Sequence, residues 1–212
     1  MDDKFIRQSV VEALDWDPAV DAANIGVAVE NGVAVMSGHV ATYAEKVAAV
    51  AIARRIMGVT AIADELEVYR SKPHSDAEIA ARAVRILDWD VAVPPDVSVH
   101  VSKGWVTLSG EFEWDYQRRA AEADVRKLGG VVGVINAITL KPRVSPVDVA
   151  RRIERALQRD ASLEASRVQI DVEDGKVTLK GGVRSWRERQ AAERAAWSAP
   201  GVTKVEDRLF IG

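Results

Sequence analysis

The chain has 212 residues, with 29 lysines and arginines against 32 aspartates and glutamates, six tryptophans and no cysteine. That length holds one large domain or two to three small ones. The lack of cysteine excludes disulfides and thiolate metal sites, and a net charge of −3 excludes a uniformly basic nucleic-acid binder. The start is acidic and no run approaches the roughly 18 apolar residues of a membrane span, so neither a signal peptide nor a transmembrane segment is expected.

Asp2 is a residue type that caps a helix through its side-chain oxygen, and it opens a first helix that runs to about Leu14. Ile25, Val27 and Val29 then alternate with other residues up to Asn31-Gly32, after which Ala34 and Met36 alternate. This pattern predicts a β-hairpin whose Gly32 supplies the positive φ of a type I′ turn. Beyond Gly38 the period becomes helical. Ala48, Ala49, Ile52, Ala53 and Ile56 form an Ala-rich stripe, predicting a helix that lies very close to its neighbour and stops at Gly58. A third strand carries Val59, Ile62, Leu66 and Val68.

The series then recurs twice. Ser75, with Glu78 at the capping-box spacing, opens a helix toward Leu87. Val97, Val99 and Val101 lead to Lys103-Gly104, with Val106 and Leu108 after it; Gly110, the stripe Ala120, Ala121, Val125 and Leu128, and Gly130 follow. In the last copy Ser145 precedes Leu157, and Val168, Ile170 and Val172 precede Asp174-Gly175, Val177 and Leu179. Gly181, the stripe Ala191, Ala192, Ala195 and Ala196, and Gly201 complete it. The glycine intervals are 6 and 20 in all three copies, shifts of 72 and 71 residues superpose them, and Asp64, Asn136 and Asp207 stand six residues after the last glycine of each. The predicted class is therefore α+β: three tandem αββαβ units at 1–70, 71–142 and 143–212, each with two helices on one face of a three-stranded mixed sheet. The second and third strands should be parallel, joined by a right-handed crossover. Short linkers containing Lys-Pro favour a compact, semi-rigid string.

The repeated set of Asn31-Gly32, Ser37-Gly38, Gly58-Val59 and Asp64 matches Gly104, Ser109-Gly110, Gly130-Val131 and Asn136, and again Asp174-Gly175, Gly181, Gly201-Val202 and Asp207. This set resembles the BON family, the bacterial OsmY and nodulation domain, over nearly the whole chain. The resemblance implies envelope and stress modules linked to hyperosmotic shock and to phospholipid membranes, a domain also found beside channels and secretins. It implies no catalytic residues and no cofactor. Many members are exported; without a signal sequence the expectation here is the cytoplasm, or the periplasm if the N-terminus has been trimmed.

The residues point away from catalysis as well. Of the three histidines, His39 is replaced by Glu111 and Gly182 in the other copies, so no polar constellation repeats. The run Gly129 to Gly133 follows a helix and enters a strand, the reverse of a phosphate loop, and Gly129 reads as a helix stop. Asp15-Trp16-Asp17 and Asp88-Trp89-Asp90 read either as an interfacial Trp at a helix end, as acidic oxygens for a cation, or as a Trp packed over the hairpin with Asp starting the turn. The packed reading is preferred, since Asp is a common turn residue. Two carboxylates are too few for Ca²⁺, so no metal is expected.

Charge is unevenly spread. The three copies carry 6 basic and 11 acidic residues, then 9 and 10, then 14 and 11, giving −5, −1 and +3. Arginine beside Trp suits a lipid headgroup interface, which makes Arg151, Arg155, Arg184, Arg187 and Trp186 the candidate contacts for an anionic phospholipid surface. The competing expectation is a protein-interaction or oligomerising scaffold using open sheet faces at Val33, Val35 and Trp105. Trp105 and Thr107 correspond to Lys176 and Thr178 in the third copy, whose face should meet water. Nucleic acid ranks third, because the third copy lacks an aromatic sheet platform.

Overall fold

The structure, a computed structural model, describes residues 2–69, 74–141, 149–159 and 168–211. The first module contains α1 (Asp3–Trp16), β1 (Ile25–Glu30), β2 (Val33–Val40), α2 (Tyr43–Ala53) and β3 (Ala61–Val68). The second contains α3 (Asp76–Trp89), β4 (Ser98–Ser102), β5 (Trp105–Phe112), α4 (Asp115–Val125) and β6 (Gly133–Leu140). The third contains α5 (Val149–Arg159), β7 (Val168–Glu173), β8 (Lys176–Val183), α6 (Trp186–Trp197) and β9 (Lys204–Ile211). Each module has its own sheet, ordered β1-β2-β3, β4-β5-β6 and β7-β8-β9. The hairpin pairs β1–β2, β4–β5 and β7–β8 are antiparallel, and the crossover pairs β2–β3 and β8–β9 are parallel. The αββαβ reading therefore holds. Residues up to Thr139 form one compact unit and those from Leu140 a second.

The core of each module lies between its two helices and one sheet face. In the first, Ile6, Val10 and Leu14 of α1 meet Ala34, Met36 and Val40 of β2, Ala49, Ile52 and Ala53 of α2, and Leu66 of β3. The four-residue spacing on α1 puts three side chains on one stripe, and burying each large one stabilises the fold by about 1.5–3 kcal/mol. Ala49 and Ala53 are wholly buried, as are Ala121, Ala192 and Ala196 in the later modules, and these small side chains let the crossover helix sit close to the sheet. The third core repeats the arrangement with Val149, Ile153 and Leu157 facing Val177, Leu179 and Val183.

The hairpin turns have the type I′ backbone: Asn31-Gly32, Lys103-Gly104 and Asp174-Gly175 all have positive φ, from 45° to 80°. A carboxylate holds two of these turns. Asp3 Oδ2 and Oδ1 accept from the Asn31 and Gly32 amides at 2.8 and 3.0 Å, and Asp76 does the same for Lys103 and Gly104 at 2.7 and 2.8 Å. Each of these aspartates is the first residue of its helix, so it ties that helix to the far end of the hairpin. The capping box at Ser75 forms in both directions, and the Ser75 amide and hydroxyl, both donating to Glu78 Oε2, hold the Glu78 carboxyl below its ordinary pKa. Ser145, the expected cap of the third module, lies outside the described residues.

One boundary differs from the sequence reading. The crossover helices were expected to reach Gly58 and Gly130, yet regular α-structure ends at Ala53 and Val125, and tighter turns such as Arg55 N–H to Ile52 O carry the chain to the glycine. Ile56 and Leu128 thus sit on turns rather than on the helix. The chain still reverses at the glycines, where φ is 92°, 91° and 88° at Gly58, Gly130 and Gly201.

Within the first compact unit the two modules meet at Tyr43, the first residue of α2. The Val134 backbone on edge strand β6 hydrogen-bonds its phenol oxygen, and Glu122 and Arg126 of α4 lie near it. Burial there raises the phenol above its ordinary pKa of 10.0, against the lowering effect of that backbone bond.

Candidate functional site

The side of each sheet away from the helices is open, and its composition changes from module to module. Alternation places Gly26, Ala28 and Glu30 of β1, Val33, Val35 and Ser37 of β2, and Ala61, Ala63 and Glu65 of β3 on the first open face. No side chain in its centre is larger than Val, Glu30 and Glu65 stand at opposite corners, and the exposed Glu67 continues β3 beyond Glu65. The second face carries Ser98, His100 and Ser102, then Trp105, Thr107 and Ser109, then Gly133, Ile135 and Ala137. Trp105 is 49% exposed and lies across Gly133, where an added Cβ would strike the six-membered ring. Ile135, which sequence reasoning did not single out, is 50% exposed beside it.

The third face is ionic. Lys180 pairs with Asp171 at 2.6 Å, and Lys176 pairs with Glu206 at 2.5 Å, while Arg208 reaches the same Glu206. Lys176 first and Arg208 second hold the Glu206 carboxyl down at about 2. The apolar positions of module one are thus replaced by pairs of opposite charge.

On the helical side of module three, Arg151, Arg152, Arg155 and Arg159 are exposed on α5, whose stripe Val149, Ile153 and Leu157 faces the core. Arg184 and Arg187 are exposed at the start of α6, the neighbour of α5. Trp186 is half-buried: the Arg189 guanidinium lies 4.9 Å from its ring centroid and pairs with Asp207 at 2.5 Å. The candidate indole is therefore braced from within the module.

Superposing the modules explains that brace. Lys46, Arg118 and Arg189 are equivalent, and so are Asp64, Asn136 and Asp207. Lys46 pairs with Asp64 at 3.2 Å and donates to the Leu66 carbonyl, while Asn136 donates to the Arg118 carbonyl at 2.9 Å. In all three modules the Asp or Asn oxygen also accepts the amide two residues on, at Leu66, Ile138 and Leu209. The repeated acidic or amide residue is a structural tie from third strand to crossover helix. Tyr43, Asp115 and Trp186 are equivalent too, each opening its helix with different chemistry. Asp115 is 3% exposed and is neutralised by Arg118 and by Arg119 at 2.8 Å.

The preferred reading of the two Asp-Trp-Asp motifs is corrected in part. Asp17 and Asp90 do start the turns, accepting the Ala19 and Ala92 amides at 3.0 and 2.8 Å. The tryptophans do not pack over the hairpins: Trp16 is 89% exposed and Trp89 88%. Each stands two residues after the last buried leucine of its helix, about 200° around the axis from the core stripe. Trp89 borders a shallow depression lined by Arg82, Arg85, Ile86 and Leu128.

The histidines are dispersed. His39 lies 6.0 Å from the Tyr69 ring, His74 packs on Gly130 and lies 3.9 Å from Glu78, and His100 is on the second open face. Among the described residues no three His, Asp or Glu side chains gather as metal ligands, and no helix is long and apolar enough to cross a membrane.

Osmotically-inducible protein Y of Escherichia coli strain K12 is 29% identical over 148 residues, which span 66% of this chain and 74% of that protein. Two solved structures of CdsD, a structural protein of the type III secretion system of Chlamydia trachomatis, align at 11% and 12% identity. Their TM-scores are 0.29 and 0.28; the first alignment covers 97% of this chain and 91% of that one, the second 100% of both. The model of the BON domain matches residues 2–69, 75–142 and 147–212, so the chain belongs to the BON-domain family, with three copies in tandem.

Proposed function

We propose that this chain is a non-enzymatic, stress-related attachment protein whose third module contacts anionic phospholipid surfaces. The observation that carries the reading is α5: four outward arginines against the single carboxylate of Glu154 within one eleven-residue helix. Near an anionic surface each such cation contributes on the order of 1 kcal/mol, so Arg151 and Arg155 on α5, together with Arg184 and Arg187 at the start of the neighbouring α6, give a weak, salt-sensitive attachment. Trp186 is the first residue of α6, between Arg184 and Arg187 in the sequence. The exposed indoles of Trp16 and Trp89 offer further interfacial anchors, and several weak contacts on one chain add by avidity. The similarity to an osmotically inducible protein supports the stress setting.

Co-sedimentation with vesicles of phosphatidylglycerol, against neutral phosphatidylcholine vesicles, tests it. Binding should favour the anionic vesicles, fall as salt rises, and drop at least tenfold in the double variant Arg151→Glu, Arg155→Glu. Equal binding to both vesicle types, or binding to neither, would overturn the proposal.

A further inference from the structure

The open faces of modules one and two differ in a complementary way. The first is flat and small, with Ala28, Val35 and Ala63 forming its middle row and Glu30 and Glu65 at its corners. The second projects: Trp105, at the hairpin end of the central strand, and Ile135, on the edge strand β6, stand half-exposed, with Ser98, Ser102, Ser109 and His100 on the same face. None of its nine positions is a carboxylate, Glu111 standing beyond Ser109 at the end of β5 away from Trp105, and its hydroxyls and imidazole can donate to one. Both modules lie in one compact unit, and there neither face covers the other, since Gly26, Ala28 and Ala61 stay exposed along with Trp105 and Ile135.

We propose that the open face of module one receives the open face of module two from a second copy of this chain. The Trp105 ring and Ile135 lie on the small residues of β1 to β3, and the corner glutamates accept from the serines and His100. A large aromatic against a flat bed of Gly, Ala and Val excludes water over both, whereas two copies of the first face would bring together two flat beds with no large side chain to bury. The third face presents ion pairs in place of an apolar bed and takes no part. The contact is small. A patch three strands wide and five residues long covers about 14 by 17 Å, well below the roughly 800 Å² per partner of a standard interface, so association should appear only at micromolar concentration or above. Because unlike faces meet, the contact is heterologous: it closes only where two copies engage both faces reciprocally, and otherwise it propagates.

The test is sedimentation equilibrium of the full chain without lipid, from about 10 to 500 μM. The average mass should rise with concentration. Ala28→Arg, which blocks the first face, and Trp105→Lys, which blocks the second, should each weaken self-association at least tenfold. An equimolar mixture of the two should form a 1:1 pair and stop there, because each variant keeps the face the other lacks. A wild-type chain that stays monomeric throughout, an Ala28→Arg variant that still self-associates, or a mixture that stays monomeric would each overturn the proposal. Circular dichroism checks folding, and Ile135→Glu substitutes for Trp105→Lys if that variant unfolds.

Discussion

Asp76 offers a sharp test of how the modules are held together. Its two carboxylate oxygens accept the Lys103 and Gly104 amides at 2.7 and 2.8 Å, across 27 and 28 residues of chain. Hydrogen bonds to a charged group contribute about 1.5–3 kcal/mol each, and the half-buried position lets water compete, so Asp76→Ala should cost about 2–3 kcal/mol. A carboxylate at a helix N-terminus contributes only about 0.3–1 kcal/mol by itself. Asp76→Asn separates the two causes: the amide retains one acceptor but aims an N–H₂ at a backbone N–H, so it should still cost about 1.5–2 kcal/mol. Urea unfolding followed by far-UV circular dichroism gives the stability, and hydrogen exchange at the Lys103 and Gly104 amides localises the loss. An Asn variant within about 0.5 kcal/mol of the parent, with unchanged exchange at those amides, would show that the clamp contributes nothing beyond the helix-end charge.

Three further outcomes are expected. Gly38→Ala should destabilise by about 2 kcal/mol or more in thermal unfolding, since φ there is 111° and a Cβ would collide with the Asn24 carbonyl oxygen; Gly110→Ala, at 2.7 Å from the Asp96 carbonyl oxygen, should cost less. Glu206 titrates near 2 in the folded chain against 4.5 unfolded, so its contribution is complete above pH 4.5 and is lost as pH falls toward 2; Glu206→Gln should flatten the acid unfolding curve of module three in that window. Tyr43 has its pKa raised by burial, so its contribution is complete below pH 10 and is lost as pH rises through the higher folded value; Tyr43→Phe should remove that part of the alkaline destabilisation, read by fluorescence-monitored unfolding above pH 10.

Much of the architecture was legible because glycine has few substitutes where φ is positive. Gly32, Gly38 and Gly58 recur at fixed intervals since the hairpin turn, the close approach of β2 to the Asn24 carbonyl and the helix stop each need that conformation, and the Asn-Gly and Asp-Gly pairs announce the hairpins directly. The early end of α2 was hidden because the alanine stripe continues to Ile56 at helical spacing; periodicity records which face is buried, and a tight turn can bury the same face. Trp16 was misread because hydrophobicity argues for burial, while its angular distance from Ile6, Val10 and Leu14 argues for solvent, and geometry prevailed. The face residues Val33, Val35 and Trp105 could be found by strand alternation alone. Ile135 could have been found in the same way from the alternation along β6. The brace of Arg189 on Trp186 required a rotamer that no spacing specifies.

The triad Tyr43, Asp115 and Trp186 bears on how such a chain can be rearranged. One scaffold position serves as a joint to the next module, as an internal ion-pair partner, and as a braced aromatic. Modules that share a backbone are therefore not interchangeable parts. Swapping the first two would put a carboxylate where a phenol must reach an edge strand, and would carry Tyr43 away from the Val134 backbone that hydrogen-bonds it. Duplication supplies the fold three times over, but the order along the chain is written in the residue that begins each crossover helix.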